Sequence, residues 1–154
     1  DQEIDAAACC AIDDALLIDP ELRSEAAGAL ASRVSQHPAV RAALFAYQQD
    51  FAHQKGGAVL DGRDIGTVIA PDADAKLFIT ASSDVRAKRR HLEDSQTDYT
   101  DILADIEARD ARDSERSAAP LRQAQDADLL DTSDMTIAAA VQRAIALVEA
   151  RIRR

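Results

Sequence analysis

The alternation of apolar and polar positions divides the chain into helices and short strands. Apolar residues recur three or four positions apart over residues 1–17, over residues 24–36, and again from Pro38 to the glycine pair at residues 56 and 57. This spacing is typical of amphipathic helices, and a glycine pair is a common helix end. The pattern therefore predicts that roughly the first third of the chain is helical.

Beyond the glycine pair, short apolar runs alternate with helical segments. Strands are predicted at residues 58–61 and 76–81 and within "DADLLDTS", and helices are predicted after Ser82 and from about Tyr99 to about Arg116. A last helix is expected to begin at Ser133. Its predicted buried face consists of Ile137, Val141, Ile145, Val148 and Ile152. Short strands separated by helices indicate an α/β fold with a parallel sheet.

The tightest group of charges follows the first predicted strand. In the run "DGRDIG", Arg63 and Asp64 come directly after residues 58–61, which we expect to form a central strand, and the glycines of the run permit close backbone approach. Parallel sheets bind ligands at the carboxyl ends of their strands. The charged run is therefore predicted to face a ligand, although a salt-bridged turn that caps the sheet fits the composition equally well.

Two further sets of charges carry arginines at helical spacing. Arg86, Arg89 and Arg90 lie on one face of the helix predicted after strand 76–81, and arginine forks fit phosphate oxygens. An ordinary solvated basic face is the alternative.

The second set consists of Arg109, Asp113 and Arg116, which also share one helix face. By themselves these residues could form only weak intrahelical salt bridges. Three arginine-rich sets that follow successive elements of one α/β domain together suggest a nucleotide or polyphosphate site, with Arg63, Asp64 and the second set lining a shared pocket.

Composition narrows the possible partners. The 154 residues suit one domain, and 28 acidic against 18 basic residues give a net charge of −10, which argues against nucleic acids and anionic membranes as partners. The sequence has no apolar run long enough to span a bilayer and no signal-peptide pattern. The adjacent Cys9 and Cys10 form no disulfide framework. We therefore expect a reduced, cytoplasmic protein.

Several strings resemble the bacterial cytidylate kinase family. They are "DGRDIGTVIAPDADAKLFITASSDVRAKRR", "IEARDARDSERSAAPL" and "DADLLDTSDMTI", and the similarity runs in order from about Leu22 to about Leu147. The resemblance implies a P-loop nucleoside-monophosphate-kinase-like fold: a parallel sheet flanked by helices, with a helical monophosphate-binding region at 1–55 and a core at 56–154 that carries a lid at about 84–100. It also implies phosphoryl transfer from ATP, with Mg²⁺, to CMP or dCMP.

The resemblance also implies roles for residues that match the family's motifs. Arg63 would grip the phosphate of the acceptor nucleotide, and Asp64 would read cytosine together with Arg41 and Arg116. Arg109 and Asp113 would contact the pentose and its surroundings, and Ser32 would touch the same pocket. Arg86, Arg89 and Arg90 would belong to the lid and would steady the transferring phosphoryl group as catalytic residues. No protein residue is expected to form a metal site.

The sequence departs from the family pattern in two places. It contains no Gly-rich loop of the GxxxxGK[ST] kind, and the stretch between Arg90 and Tyr99 is shorter than expected by about one helical turn. We expect the complete protein to carry both parts and to act as a monomer. If the 154 residues are the whole molecule, we expect it to be inactive. The alternatives are a non-catalytic nucleotide-binding fragment and an acidic interaction module.

Overall fold

The computed structural model describes residues 18–34, 37–93, 97–115 and 121–153. Its helices are α1 (Glu25–Val34), α2 (Pro38–Ala52), α3 (Ser83–Glu93), α4 (Tyr99–Glu115) and α5 (Ile137–Ile152), and its strands are β1 (Leu77–Thr80) and β2 (Asp128–Asp131). A short 3₁₀ helix (Pro20–Arg23) precedes α1, and a π-helical turn (Ile65–Ile69) precedes β1. The chain divides into two compact units with a boundary between Leu60 and Asp61. The helix predicted over residues 1–17 lies outside the described residues.

The described part of the first unit is mostly helical as far as Ala52, as the apolar spacing predicts. The hydroxyl of Ser24 accepts a hydrogen bond from the backbone N–H of Ala27 at 3.2 Å, which caps the start of α1. Val40 is the buried residue of α2. The glycine pair lies beyond α2, and its φ angles of 104° and 89° belong to the left-handed region that glycine adopts without strain.

The second unit contains the sheet. β1 pairs with β2 in parallel, with Leu77 opposite Asp128 and Thr80 opposite Asp131. Two further backbone hydrogen bonds extend the ladder at its ends: the N–H of Asp128 donates to Lys76 O at 2.9 Å, and the N–H of Thr132 donates to Thr80 O at 2.8 Å. The predicted strands 76–81 and 126–133 and their parallel pairing are therefore confirmed.

The prediction of a central strand at 58–61 is wrong. Residues 57–61 form no strand, and Val59 is 95% exposed. A strand needs a neighbour to take up its backbone hydrogen bonds. In the part of the chain that the structure describes, β1 and β2 pair only with each other. A short apolar run is therefore not enough to make this segment a strand.

Helices α3 and α4 pack together through a small apolar core. Ala87 of α3 is fully buried against Ile102 and Ile106 of α4, and Tyr99 and Leu103 pack around them. Because alanine has almost no side chain, the two helices approach closely at this position. The close approach places the arginines of α3 beside the charged face of α4.

The helix caps of the second unit agree with the sequence in one case and differ in the other. Ser82 accepts a hydrogen bond from Val85 N at 3.3 Å and caps α3 as predicted. Helix α5 begins at Ile137 and is capped by Thr136, not by Ser133. The Ser133 hydroxyl instead connects the end of β2 to the start of α3. It donates to Asp131 Oδ1 at 2.6 Å and accepts from the N–H of Ser82.

The predicted burial of the α5 apolar stripe is also wrong. Its large side chains, with the exception of the half-buried Val148, are between 45% and 86% exposed. A helix of 16 residues is about 24 Å long, whereas two strands about 4.8 Å apart offer only a narrow platform. The described sheet is therefore too small to cover the stripe. None of the described helices is long and apolar enough to cross a membrane.

Candidate functional site

The second unit contains a cavity of about 340 Å³ lined largely by charged side chains. Its lining residues are Arg63, Arg86, Arg90, Ile106, Arg109, Asp110, Asp113 and Leu121. Four arginines and two aspartates give the lining an excess of positive charge. Guanidinium groups that converge on a cavity of this size match the oxygens of a phosphate or another anion.

Asp113 is the buried centre of this charge cluster. It is 4% exposed, and its Oδ2 lies 2.7 Å from Nε of Arg63 and 4.0 Å from Nε of Arg109. Its backbone carbonyl accepts from the N–H of Leu121 at 3.0 Å. Burial of a carboxylate is costly unless it is paired, so Asp113 holds Arg63 against α4, beside Arg109 of the same helix.

Arg63 reaches Asp113 from a tightly wound segment. The residue after it, Asp64, immediately precedes the π turn, and its carbonyl accepts from the N–H of Val68 at 2.8 Å. A Cβ atom at Gly62 would lie only 2.9 Å from Cγ1 of Ile65, so the chain winds this way because glycine precedes Arg63. Turns of the π type are frequent at functional sites.

Arg86 enters the cavity wall from α3 and is held at three points. Its Nη1 and Nη2 donate to the two carboxylate oxygens of Asp110 at 3.0 and 2.5 Å, and its Nε donates to the carbonyl of Ala81 at 3.0 Å. The hydrogen bonds to Asp110 raise the pKa of the Arg86 guanidinium above its ordinary value. Arg86 therefore carries its positive charge throughout the accessible pH range.

Arg109 lies in an environment that disfavours its charge. Burial lowers the pKa of its guanidinium, and the positive charges of Arg63 and Arg90 lower it further, against the opposing effect of Asp113. Arginine nonetheless stays protonated in proteins. The crowding of like charges is a cost that a bound anion would offset.

The three arginines of α3 do not all point to the cavity. Arg86 and Arg90 line it, whereas Arg89 donates to the hydroxyl and carbonyl oxygens of Thr132 at 3.2 and 2.6 Å. The Thr132 hydroxyl in turn donates to Thr80 O at 3.0 Å. Arg89 is thus fastened to the carboxyl ends of β1 and β2. Positions i, i+3 and i+4 share a broad helix face, but long side chains on that face diverge.

The remaining predicted substrate-binding residues are Asp64, Arg41, Arg116 and Ser32. Asp64 is next to Arg63 in sequence, but it is not among the described residues that line the cavity. Arg41 belongs to α2 of the first unit. Arg116 lies outside the described residues, and for Ser32 the structure describes the backbone within α1 but not the side chain.

Sequence reasoning missed one charged residue of the cavity, Asp110. Its partner Arg86 is 24 positions away, so no local spacing in the sequence indicates the pair. Its position three residues before Asp113 was the available signal, because residues i and i+3 lie on the same face of a helix. Among the described residues, no group of three or more His, Cys, Asp or Glu could hold a metal ion.

The buried carboxylate provides a test of the cluster. Asp113→Asn keeps the shape of the side chain but removes the charge that pairs with Arg63, so we expect a loss of about 1–3 kcal/mol in the free energy of unfolding, measured by urea denaturation. Asp105→Asn, an exposed substitution on the same helix, is the control and should change it by less than about 0.5 kcal/mol. Equal stability of the two variants would contradict the assignment of Asp113 as the centre of the cluster.

Comparison with known proteins gives the same family for nearly the whole chain. The cytidylate kinase family model matches residues 5–150. A cytidylate kinase of Cereibacter sphaeroides is 56% identical over 149 residues, which are 94% of this chain and 72% of the relative. Cytidylate kinases of Xanthobacter autotrophicus and Rhodopseudomonas palustris are 57% and 52% identical over 90% and 97% of this chain, and the matches cover 69% and 73% of those relatives.

These matches include every element that builds the cavity, from the "DGRD" run to the end of α4. The family model covers residues 5–150, and the relatives are more than 50% identical over at least 90% of the chain. The resemblance found in the sequence is therefore confirmed. The chain belongs to the cytidylate kinase family.

Proposed function

We propose that this protein transfers a phosphoryl group from ATP to CMP or dCMP and forms CDP or dCDP. The observation that carries the proposal is the arginine-lined cavity in a chain of this family. Membership of the family does not favour the alternatives of a non-catalytic fragment or an acidic interaction module.

The phosphate of the acceptor nucleotide is proposed to bind between Arg63 and Arg109. Asp113 holds Arg63 in place through a contact of 2.7 Å, so little side-chain entropy remains to be lost when the phosphate binds. The lowered pKa of Arg109 reflects burial and nearby positive charge, and a phosphate dianion would neutralise that charge. Both observations support an anion site that is formed before the substrate arrives.

The transfer itself needs positive charge more than covalent chemistry. An oxygen of the acceptor phosphate forms a bond to the γ-phosphorus of ATP while the bond from that phosphorus to the bridging oxygen breaks, and the electron pair leaves with ADP. The transition state is loose and spreads its charge over peripheral oxygens. Arg86 and Arg90, which line the cavity, are proposed to stabilise that charge. Arg89 would join them only after release of its contact with Thr132.

Recognition of the cytosine base is proposed for Asp64, Arg41 and Arg116. A carboxylate can accept a hydrogen bond from the exocyclic amine of cytosine, and arginines can donate to its ring oxygen and nitrogen. The pentose is proposed to lie next to the phosphate, in contact with Arg109 and Asp113 and with Ser32 in the same pocket, so that Arg109 lies between phosphate and sugar. This part of the proposal rests on the match to the family's motifs.

The roles of the two regions of the chain are also proposed from the match to the family's motifs. Residues 1–55 would form the helical monophosphate-binding region, and residues 56–154 would form the core of a P-loop kinase fold with a lid at about 84–100. The helical character of α1 and α2 and the parallel pairing of β1 with β2 support this arrangement.

ATP is the donor that the family implies, and Mg²⁺ is proposed to accompany it. The described residues offer no cluster of acidic ligands that fits a magnesium site, and magnesium is commonly bound through substrate phosphates. The roles assigned above therefore use only the arginines and aspartates of this chain. A monomeric state and a cytoplasmic location complete the proposal. The net charge of −10, which makes copies of the chain repel one another, supports the first, and the two adjacent cysteines, which form no disulfide framework, support the second.

Base selectivity is the first test. The protein as its gene encodes it should phosphorylate CMP and dCMP about 5- to 100-fold more efficiently in kcat/KM than UMP. Uracil would place an acceptor against the half-buried Asp64 carboxylate, and two acceptors that face each other cost roughly 1–3 kcal/mol. A coupled assay of ADP formation measures this ratio. Asp64→Ala should bring the kcat/KM values for CMP and UMP closer together, mainly by loss of activity on CMP. Equal turnover of CMP and UMP by the unmutated protein would contradict the base-reading role.

Phosphate binding is the second test. Arg63→Ala should lower kcat/KM for CMP, dCMP and UMP by the same factor, about 100-fold or more, because the guanidinium holds phosphate and reads no base. Arg63→Ala also removes the contact with Asp113, which could destabilise the protein. Urea denaturation of the variant shows whether it is folded under the assay conditions, so that kcat/KM values of folded protein are compared. An effect confined to one nucleotide would show that Arg63 contacts the base instead.

A further inference from the structure

Asp110 lines the cavity but has no place in the phosphate or base contacts described so far. Its two carboxylate oxygens accept from the two terminal nitrogens of Arg86, one each, in a fork-to-fork arrangement. Paired contacts of this kind fix the plane of a guanidinium as well as its position. The remaining contact of Arg86, from Nε to the carbonyl of Ala81, ties it to the residue that follows β1.

The pair is poorly placed to stabilise the fold. The side chains of Arg86 and Asp110 are 36% and 43% exposed, and ion pairs at such positions contribute little to stability. What the contact provides is orientation. Of the five N–H groups of Arg86, three are engaged by Asp110 and Ala81, so each terminal nitrogen keeps one N–H for another acceptor.

The surrounding charge explains why an orienting residue is needed. The cavity gathers Arg63, Arg90 and Arg109 in addition to Arg86. A long, flexible side chain of the same charge would turn away from such a group into solvent, where repulsion is screened. Asp113 already serves Arg63 and Arg109, which leaves Asp110 as the other carboxylate of the lining.

We propose that Asp110 is a positioning residue for phosphoryl transfer: it holds the Arg86 guanidinium at the wall of the arginine-lined cavity, so that the two remaining N–H groups meet the transferring phosphoryl group. The inference rests on the proposed kinase function and assigns to Asp110 no contact with substrate. It predicts an effect on the transfer step and not on acceptor binding, because Arg63 and Arg109 hold the acceptor phosphate.

The test compares Asp110→Asn with Asp110→Glu in the protein as its gene encodes it. Asp110→Asn loses one of the two acceptor oxygens and the charge, so kcat with CMP and ATP should fall about 10- to 100-fold while KM for CMP changes less than about 3-fold. Asp110→Glu restores a carboxylate and should recover at least part of the loss. Retention of kcat within about 2-fold by Asp110→Asn would overturn the proposal.

A matched control is available in the same unit. Asp128 forms an equally forked pair with Arg151, with both contacts at 2.8 Å, and it does not line the cavity. Asp128→Asn should leave kcat within about 2-fold. If it lowers kcat as much as Asp110→Asn does, the effect is a general consequence of a lost ion pair, and the positioning role is wrong.

A double substitution shows whether Asp110 acts through Arg86. Once Arg86→Ala has removed the guanidinium, addition of Asp110→Asn should lower kcat by less than about 2-fold more. A further full decrease would mean that Asp110 acts by another route and would overturn the proposal. Failure of the kinase function would be seen separately, as absence of CMP-dependent ADP formation by the unmutated protein.

Discussion

The buried carboxylate of Asp113 is the constraint on which the site depends. It joins Arg63, which precedes the π turn, to Arg109 on its own helix, and its burial makes the loss of either partner costly. Two guanidinium groups are thereby held close together despite their mutual repulsion. A pair of fixed positive groups is what a phosphate requires, so the same contact that orders these arginines also prepares the site for an anion.

The rest of the second unit brings further positive charge to the same place. The small side chain of Ala87 lets α3 lie close to α4, so that Arg86 and Arg90 of α3 line the cavity and Arg86 pairs with Asp110. Arg89 of the same helix does not line the cavity and instead reaches Thr132 at the strand ends. The carboxyl ends of the parallel strands and the charged face of α4 are therefore linked by arginines. A cytidylate kinase needs such an arrangement because phosphoryl transfer is promoted by positioning and charge.

The sequence predicts well what depends on local spacing and poorly what depends on distant partners. Helix α4 and the strands β1 and β2 were predictable because their apolar periodicity and breakers lie within a few residues, and the i, i+4 spacing of Arg109 and Asp113 placed both at the cavity. Strand 58–61, the buried stripe of α5 and the cap at Ser133 were wrong, because each depends on which neighbours are available. Asp110 was missed for the same reason: its partner is 24 residues away.

The central claim is that the cavity around Asp113 receives the phosphate of the acceptor nucleotide. A crystal structure of the protein with CMP bound tests it most directly. We expect phosphate oxygens within about 3 Å of the guanidinium nitrogens of both Arg63 and Arg109, with the Asp113 contact to Arg63 retained. A CMP phosphate bound away from these two arginines, with the cavity filled only by solvent, would contradict the account.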